Sequence, residues 1–541
     1  MKRYNQVILG IGVAAVCLTS FTGCIDETQP TSIATETQVA ASTSASEALV
    51  MAMPAYFNKT WTLSSEPHYD YGYSSIMHVR DVLTGDLAVV SSGYDWYSPW
   101  AEASGIDENK ARTQYIWNYY YQFIQAINNA VGGVDASTAT SDQLGYLGTS
   151  LAFRALAYLD MARMYEFLEN DKVSSVNKDN HDVKGLTVPI VKAGMDQDSA
   201  RNNPRATHAQ MAAFIENDLN EAEEYVVNLK DTKGQVLPDL ACVYGLKARL
   251  YMWNEDYAKA QEYARKAIDA STVAPMTATQ CLNTTTGFND ASAFMWAAQQ
   301  TSEDESVQTG IVNWTSWMSN EAFYGYASAG PYVMIDKSMY DRISNNDFRK
   351  LEFKCPDDSP LASLISYIDK DEAANFPTYA SLKFRPNQGN GDEYQVGSAA
   401  AYPIMRVEEM YFIEAEAAAH QDPAKGKALV EAFMKNYRDA NYACNETTKD
   451  DVVEEIVFQK RVELWGEGQS FYDIKRLNYS VTRGYKGTNF ADLTRYNTNG
   501  RPAWMNLVIV ITEKNNNKAL DGWNNPDVTS AYTPWKDPDE Q

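Results

Sequence analysis

Between residues 241 and 269 small and very large side chains alternate at helical spacing, which leaves this stretch few ways to fold. Leu246, Leu250 and Trp253 recur at i, i+4 and i+7, and beyond Asn254-Glu255-Asp256 a second period carries Tyr257, Ala260, Ala264 and Ala267. Alanines at 248, 258, 260, 264 and 267 let two helices approach closely, while Tyr251, Trp253 and Tyr257 fill the gaps beside them. The pattern predicts a helical hairpin of the tetratricopeptide kind. A second hairpin is predicted from Ile404 to about Asp439, with Met410, Ile413 and Ala417 on one face, Asp422-Pro423 at the turn and a returning helix from Ala428 to Tyr437. A long helix over about Gln143 to Phe167, with another from Thr207 to Val227 beside it, gives at least three hairpins. The expected class is all-α dominated: a tetratricopeptide-like helical-repeat scaffold.

The chain has 541 residues, too many for one simple core, so two lobes or a repeat array are expected. Between about 271 and 401 the helical period fades, Gly, Asn, Ser and Pro rise, and aromatics cluster. This reads as a long, irregular, loop-rich insertion, and such segments on a rigid scaffold usually carry function. The scaffold would then occupy about 47–270 and 402–480, with an irregular C-terminal segment over 481–541.

The N-terminus carries an address. Lys2 and Arg3 precede an apolar or glycine run from Val7 to Leu18, and Phe21-Thr22-Gly23 lead into Cys24. The run is shorter than the ~20 residues a membrane span needs. It reads as a signal peptide over 1–23. Small residues directly before Cys24 resemble the bacterial lipoprotein box, which implies lipidation of Cys24 and an anchored, non-spanning mature protein. Asp26 and Glu27 follow, similar to the signal that places such lipoproteins on the cell surface in Bacteroidetes. Residues 24–46, rich in Thr, Ser, Ala and Gln, read as a lipidated tether. No later segment is expected to cross a bilayer.

Charge and composition exclude several classes. The chain has 46 basic and 71 acidic residues, a net −25 that becomes −27 once residues 1–23 are removed, so a nucleic-acid backbone would be repelled. Five histidines and six cysteines without any C-x-x-C pair remove zinc-ribbon and thioredoxin-type readings. Cys242, Cys281, Cys355 and Cys444 remain in the mature chain, with spacing that specifies no disulfide. His68 and His78 have no matched third ligand and read as ordinary surface or packing residues. Asn387, Asn390, Asp392 and Glu393 form an oxygen-rich loop without EF-hand spacing, read as a solvated turn rather than a calcium site, so no cofactor is expected.

Five stretches carry a resemblance to a known family: 115–129 (YIWNYYYQFIQAINN), 151–165 (LAFRALAYLDMARMY), the hairpin 241–269, 403–417 (PIMRVEEMYFIEAEA) and 461–477 (RVELWGEGQSFYDIKRL). They are similar to the RagB/SusD family of Bacteroidetes surface glycan-binding lipoproteins. Arg406, Glu409, Ala415, Glu416 and Ala417, then Arg461, Glu463, Leu464, Glu467, Gly468, Asp473 and Arg476, stand where that family's pattern expects them. Lys460 and Val508-Ile509-Val510-Ile511 depart from it, which bears on local ion pairs and C-terminal packing. The resemblance implies an outer-membrane protein without catalytic activity that binds oligosaccharides and passes them to a SusC-like TonB-dependent transporter. Glu463 and Glu467, four apart, are expected on one helix face, as are Asp473 and Arg476. A glycosidase needs carboxylates on opposite sides of a sugar bond, so these are assigned to structure.

Sugars offer hydroxyls and flat C–H faces, which proteins meet with exposed rings and fixed polar groups. The stretch 92–100 holds four rings in seven positions, and Pro99 biases Ser98 towards an extended backbone. If extended, it projects Tyr94, Trp96 and Trp100 to one side, with the indoles ~13 Å apart. A second cluster, Trp314, Trp317, Phe323, Tyr324 and Tyr326, lies in the insertion. The resemblance implies a glycan site built from loops in these two regions. Candidate ligand residues are Tyr94, Asp95, Trp96, Trp100, Asn313, Trp314, Trp317, Asn320 and Tyr324. Two other readings stay open: a surface glycoside hydrolase, and a peptide-binding helical-repeat scaffold using its concave face.

Overall fold

The computed structural model describes residues 42–64 and 67–540. Residues 1–23, read as a signal peptide, Cys24 and most of the stretch read as a tether therefore lie outside the described residues.

The scaffold begins inside the stretch read as tether. Ser42 caps helix α1 (Thr43–Phe57) by accepting from the Ala45 amide, and Val50, Met53 and Phe57 turn inward, so the tether ends about four residues earlier than expected. Helix α2 (Tyr73–Val82) is buried throughout. Helices α3 (Ala111–Gly132) and α4 (Ser141–Tyr165) pair next, and α4 is buried on nearly every side, as an apolar segment of this length in a large core should be. A reciprocal capping box between Thr140 and Gln143 starts α4. Helix α5 (His208–Tyr225) lies along α4, and a Cβ on Gly148 would stand 2.5 Å from the Val226 amide nitrogen, so only glycine permits that approach.

The hairpin of α6 (Leu240–Trp253) and α7 (Tyr257–Ala270) turns where the period predicted it, with Glu255 at φ 58° and Ala260, Ala264 and Ala267 fully buried. Helix α7 packs on α8 (Val407–Gln421), which pairs with α9 (Pro423–Tyr437) and α10 (Lys449–Glu463). Pro423 takes the first turn of α9, where its missing N–H costs nothing. The result is mostly helical, successive helices packing side by side in a manner consistent with a helical-repeat fold.

The charged residues that match the family pattern are inside this scaffold. Helix α10 stops at Glu463, and a turn containing Gly466 (φ 75°) and Gly468 (φ 68°) leads to α11 (Ser470–Arg476), so Glu463 and Glu467 do not share a helix face as expected. They converge through space instead. Arg406 bonds Glu463 at 3.1 Å and Glu467 at 3.0 Å, while Arg438 and Arg349 close on the other Glu463 oxygen at 2.7 and 3.2 Å. Asp473 and Arg476 pair at 2.8 Å, and Lys460, a departure from the family pattern, bonds Asp473 at 2.9 Å. Val508, Ile509 and Val510 are buried, so the second departure packs as core.

Two antiparallel ribbons connect the loop-rich segments to the helices. Strand β1 (Leu87–Val89) pairs with β3 (Val333–Ile335) in the register Leu87↔Ile335, and β2 (Trp296–Gln299) pairs with β4 (Ala401–Met405). The insertion is therefore not wholly irregular. The β1–β3 ribbon fixes the site, because the 91–100 loop leaves the end of β1 and the 314–330 segment leads into β3. The four cysteines are buried and unpaired. Among the described residues no helix is long and apolar enough to cross a membrane.

Candidate functional site

Past β1, the Val90 amide donates to the Tyr332 carbonyl at 3.0 Å, and the chain then turns outward at Gly93, whose φ of 72° glycine adopts freely. Ser92 Oγ accepts from the Tyr94 amide at 3.2 Å, and Asp95 Oδ1 accepts from the Tyr97 amide at 2.8 Å. This aspartate turn, with Ser98 Oγ donating to the Asp95 carbonyl, starts a short helix, Ser98–Ala101. The expectation of an extended strand across Trp96 to Trp100 is thereby corrected. Burial overrides the bias of the residue before Pro99: Tyr97 and Trp100, three apart, both turn into the core, where Trp100 packs edge-on against Tyr69 (5.3 Å) and Tyr115 (6.0 Å). Trp100 is only 3% exposed, so it supports the site from beneath and the two indoles do not form the projected track.

Tyr94 and Trp96 meet rings from the insertion. Asn313 caps the helix Trp314–Met318 by accepting from the Ser316 amide, and this places Trp317 parallel to Tyr326, with ring centroids 3.5 Å apart and planes 13° apart. Tyr94 also stacks near-parallel on Tyr326, at 5.7 Å and 20°. The Tyr326 hydroxyl hydrogen-bonds His68 Nδ1, and the His68 ring stacks on Trp96 at 4.9 Å. The Trp317 indole N–H donates to the His68 carbonyl at 3.2 Å. Five rings thus form one cluster: Trp317 and Tyr326 are buried, each 2% exposed, and the reachable platform is Tyr94, 48% exposed, with Trp96 and His68 half-buried.

Burial lowers the His68 imidazole pKa, so the ring is neutral at pH 7 and presents a flat face rather than a charge. Asp95 lies between the two exposed rings in sequence. Burial pushes its carboxyl up to about 6, against the single Tyr97 amide bond that lowers it, with Glu102 raising it further.

The remaining candidates are spread more widely. Trp314 is buried against Phe384 (5.1 Å) and Tyr402 (5.4 Å). Asn313 is committed to its helix cap, and Asn320 bridges the Val333 and Ser381 backbones with contacts of 2.8–3.1 Å. Both asparagines are buried and have no free valence for a ligand. Tyr324 stands apart, edge-on to Tyr394 at 6.4 Å and accepting from Ser398 Oγ. The structure therefore brings Tyr94 and Trp96 into one cluster at the surface, sets Trp317 and Trp100 buried within and below it, makes Asp95 the cap of the turn that carries the loop rings, and places Asn313, Trp314, Asn320 and Tyr324 elsewhere. Sequence reasoning passed over His68 and Tyr326 as ligand residues; the ring-rich run His68-Tyr69-Asp70-Tyr71 and the position of Tyr326 in the second cluster were the available signals. In the 387–393 loop, Asn390 Oδ1 accepts from the Asp392 and Glu393 amides, which makes it a turn cap. No group of His, Cys, Asp and Glu suited to a metal occurs among the described residues.

Two family models match the chain: the SusD family over 338–534 and the family described as starch-binding associating with outer membrane over 37–252. Between them they take in both halves of the scaffold. The chain belongs to the SusD/RagB family. Several solved structures share this SusD-type fold. A SusD-like carbohydrate binding protein from Bacteroides vulgatus is 21% identical, with 89% of this chain and 98% of that one covered at a TM-score of 0.69. A putative sugar binding protein from the same species is 20% identical, with 88% and 97% covered at 0.64. Surface glycan-binding protein A from Bacteroides thetaiotaomicron, in complex with laminarihexaose, is 16% identical, with 89% and 98% covered at 0.62. No curated protein sequence matches.

Proposed function

We propose that this SusD-family protein is a non-catalytic binding protein that captures oligosaccharides on the outer surface of the outer membrane and delivers them to a SusC-like TonB-dependent transporter. The observation that carries this reading is the five-ring cluster whose reachable rings are Tyr94, Trp96 and His68, backed by the buried Tyr326 and Trp317. Flat rings packed against one another are pre-organised, so a sugar's C–H face can settle on them without the protein ordering side chains first. The family's association with starch and the outer membrane, and the laminarihexaose complex of a fold relative, support a glycan as ligand. The net charge favours a neutral glycan. On this reading Cys24 carries the lipid, residues 25 to about 42 form the tether, and the helical pairs are tetratricopeptide-like units that hold the two ring-bearing segments rigidly. The 47–541 region then acts as one SusD-like domain.

A glycan array probed with the full chain in detergent tests the reading directly. Retention of a glycan class by the parent chain and its loss in Trp96→Ala supports it. Release of reducing ends by the parent chain over hours would instead favour the hydrolase, and binding of peptides untouched by Trp96→Ala would favour the concave-scaffold reading.

A further inference from the structure

Behind the ring platform, the same loop walls a second concavity. Tyr94 leans on Tyr326 of the insertion and Trp96 on His68, whereas Asp95, between them in sequence, lines a cleft of about 740 Å³. One wall is the loop from Ser91 to Glu102 and the other is the C-terminal segment from Thr488 to Arg495. Val89, Met334 and Phe490 provide apolar surface, and Leu493, 63% exposed, stands at the rim. The volume falls within the range of small-molecule sites, on the order of 300–1,000 Å³.

The polar groups select among ligands. Asp95 Oδ1 holds only the Tyr97 amide, which leaves acceptor capacity on a poorly solvated carboxyl. Glu102 and Asp492 add negative charge, and the cleft's one cation, Arg495, is already spent on Asp492 at 3.0 Å and on the Phe490 carbonyl at 2.9 Å. Such a cleft repels uronates and sulfated sugars and accepts hydrogen-bond donors. Gly93, which lines the cleft and directly precedes Tyr94 of the platform, is exposed and has no atom within 4 Å of where a Cβ would stand. A chain molecule can pass over it.

The geometry points to a second saccharide subsite in this cleft, where a neutral sugar donates hydroxyl hydrogen bonds to Asp95 while the same oligosaccharide crosses Gly93 to lie on the platform. The inference rests on the glycan-binding reading above and adds to it a length requirement. Short oligomers occupy the platform alone, and longer ones gain the cleft.

Calorimetry on the full chain in detergent tests it, using trimers and hexamers of laminari-, malto-, manno- and xylo-oligosaccharides. The parent chain should bind the hexamer of its preferred series more tightly than the trimer. Asp95→Asn keeps the oxygen that accepts from Tyr97 but gives up the carboxylate, and should weaken the hexamer about tenfold, the order of a charge-assisted hydrogen bond, with the trimer unchanged. Ser91→Trp, at an exposed position on the cleft wall, should erase the hexamer's advantage by filling the space. Hexamer affinity within twofold of the parent in both variants overturns the cleft while leaving the platform reading intact. A parent chain that binds none of the four series overturns the platform reading, and the cleft with it.

Discussion

The buried charge lattice and the aromatic platform are both dense clusters of side chains often found in active sites, and they serve opposite ends. Around Glu463, Arg349, Arg406 and Arg438 supply every partner a carboxylate can use, and all four groups are almost completely buried. Burial alone would raise the Glu463 carboxyl pKa, but Arg438 first, then Arg406 and Arg349, hold it well below its ordinary range. Nothing is left to offer a ligand. At the platform the rings satisfy one another edge and face, yet Tyr94 keeps nearly half its surface in water, and in the neighbouring cleft Asp95 keeps unused acceptor capacity. A cluster becomes a candidate site through what it leaves unsatisfied and reachable, not through which residue types compose it.

The comparison breaks most easily at the lattice. Glu463→Ala removes the carboxylate that three buried guanidinium groups share, leaving each with its remaining carboxylate contacts, and should cost on the order of 3–5 kcal/mol of stability. Thermal or denaturant unfolding reads this, and a variant that melts with the parent would show the lattice to be dispensable. Trp314→Ala should cost about as much, ~3–5 kcal/mol, by opening a cavity beside Phe384 and Tyr402. Glycan affinity of the surviving folded fraction should be unchanged, which separates a buried ring of the insertion from an exposed one.

Tyr94→Ala and Trp96→Ala should show the reverse pattern, with near-parental melting and a loss of ~1–3 kcal/mol of binding energy per ring, the order found when bases stack on aromatic side chains. Paired melting and calorimetry would expose a platform that is merely structural, since stability would then fall and affinity would not.

The lattice should also show a pH dependence. Burial pushes Glu352 up to about 7, against the neighbouring Lys383 charge, while the unfolded chain ionises it near 4.5. The unfolded state therefore gives up its proton first as pH rises, and stability drains between about pH 4.5 and 7. Glu352→Gln, neutral at every pH, should melt like the parent at pH 4 and above it at pH 8. An equal difference at both pH values would place the cause elsewhere.

The scaffold was legible because helical period and alanine spacing are local signals: the α6–α7 turn at Asn254 to Asp256 and Pro423 at the start of α9 stand where the pattern put them. The site was legible only by region. The richness in rings of 94–100 and 314–326 could be counted, but whether Trp100 faces water or Tyr115 depends on an aspartate turn and on core surface far away in sequence. The same limit applied to Glu463 and Glu467, whose shared partner Arg406 lies some sixty residues earlier.

The sequence by itself determined a paired-helix scaffold, a membership in the SusD/RagB family and two neighbourhoods rich in aromatic rings, since periodicity, capping residues and motif spacing are written along the chain. Only the tertiary structure decided which rings are surface and which are core. The short β1–β3 ribbon joins segments more than two hundred residues apart, and solvent exposure is a property of that meeting rather than of either segment alone.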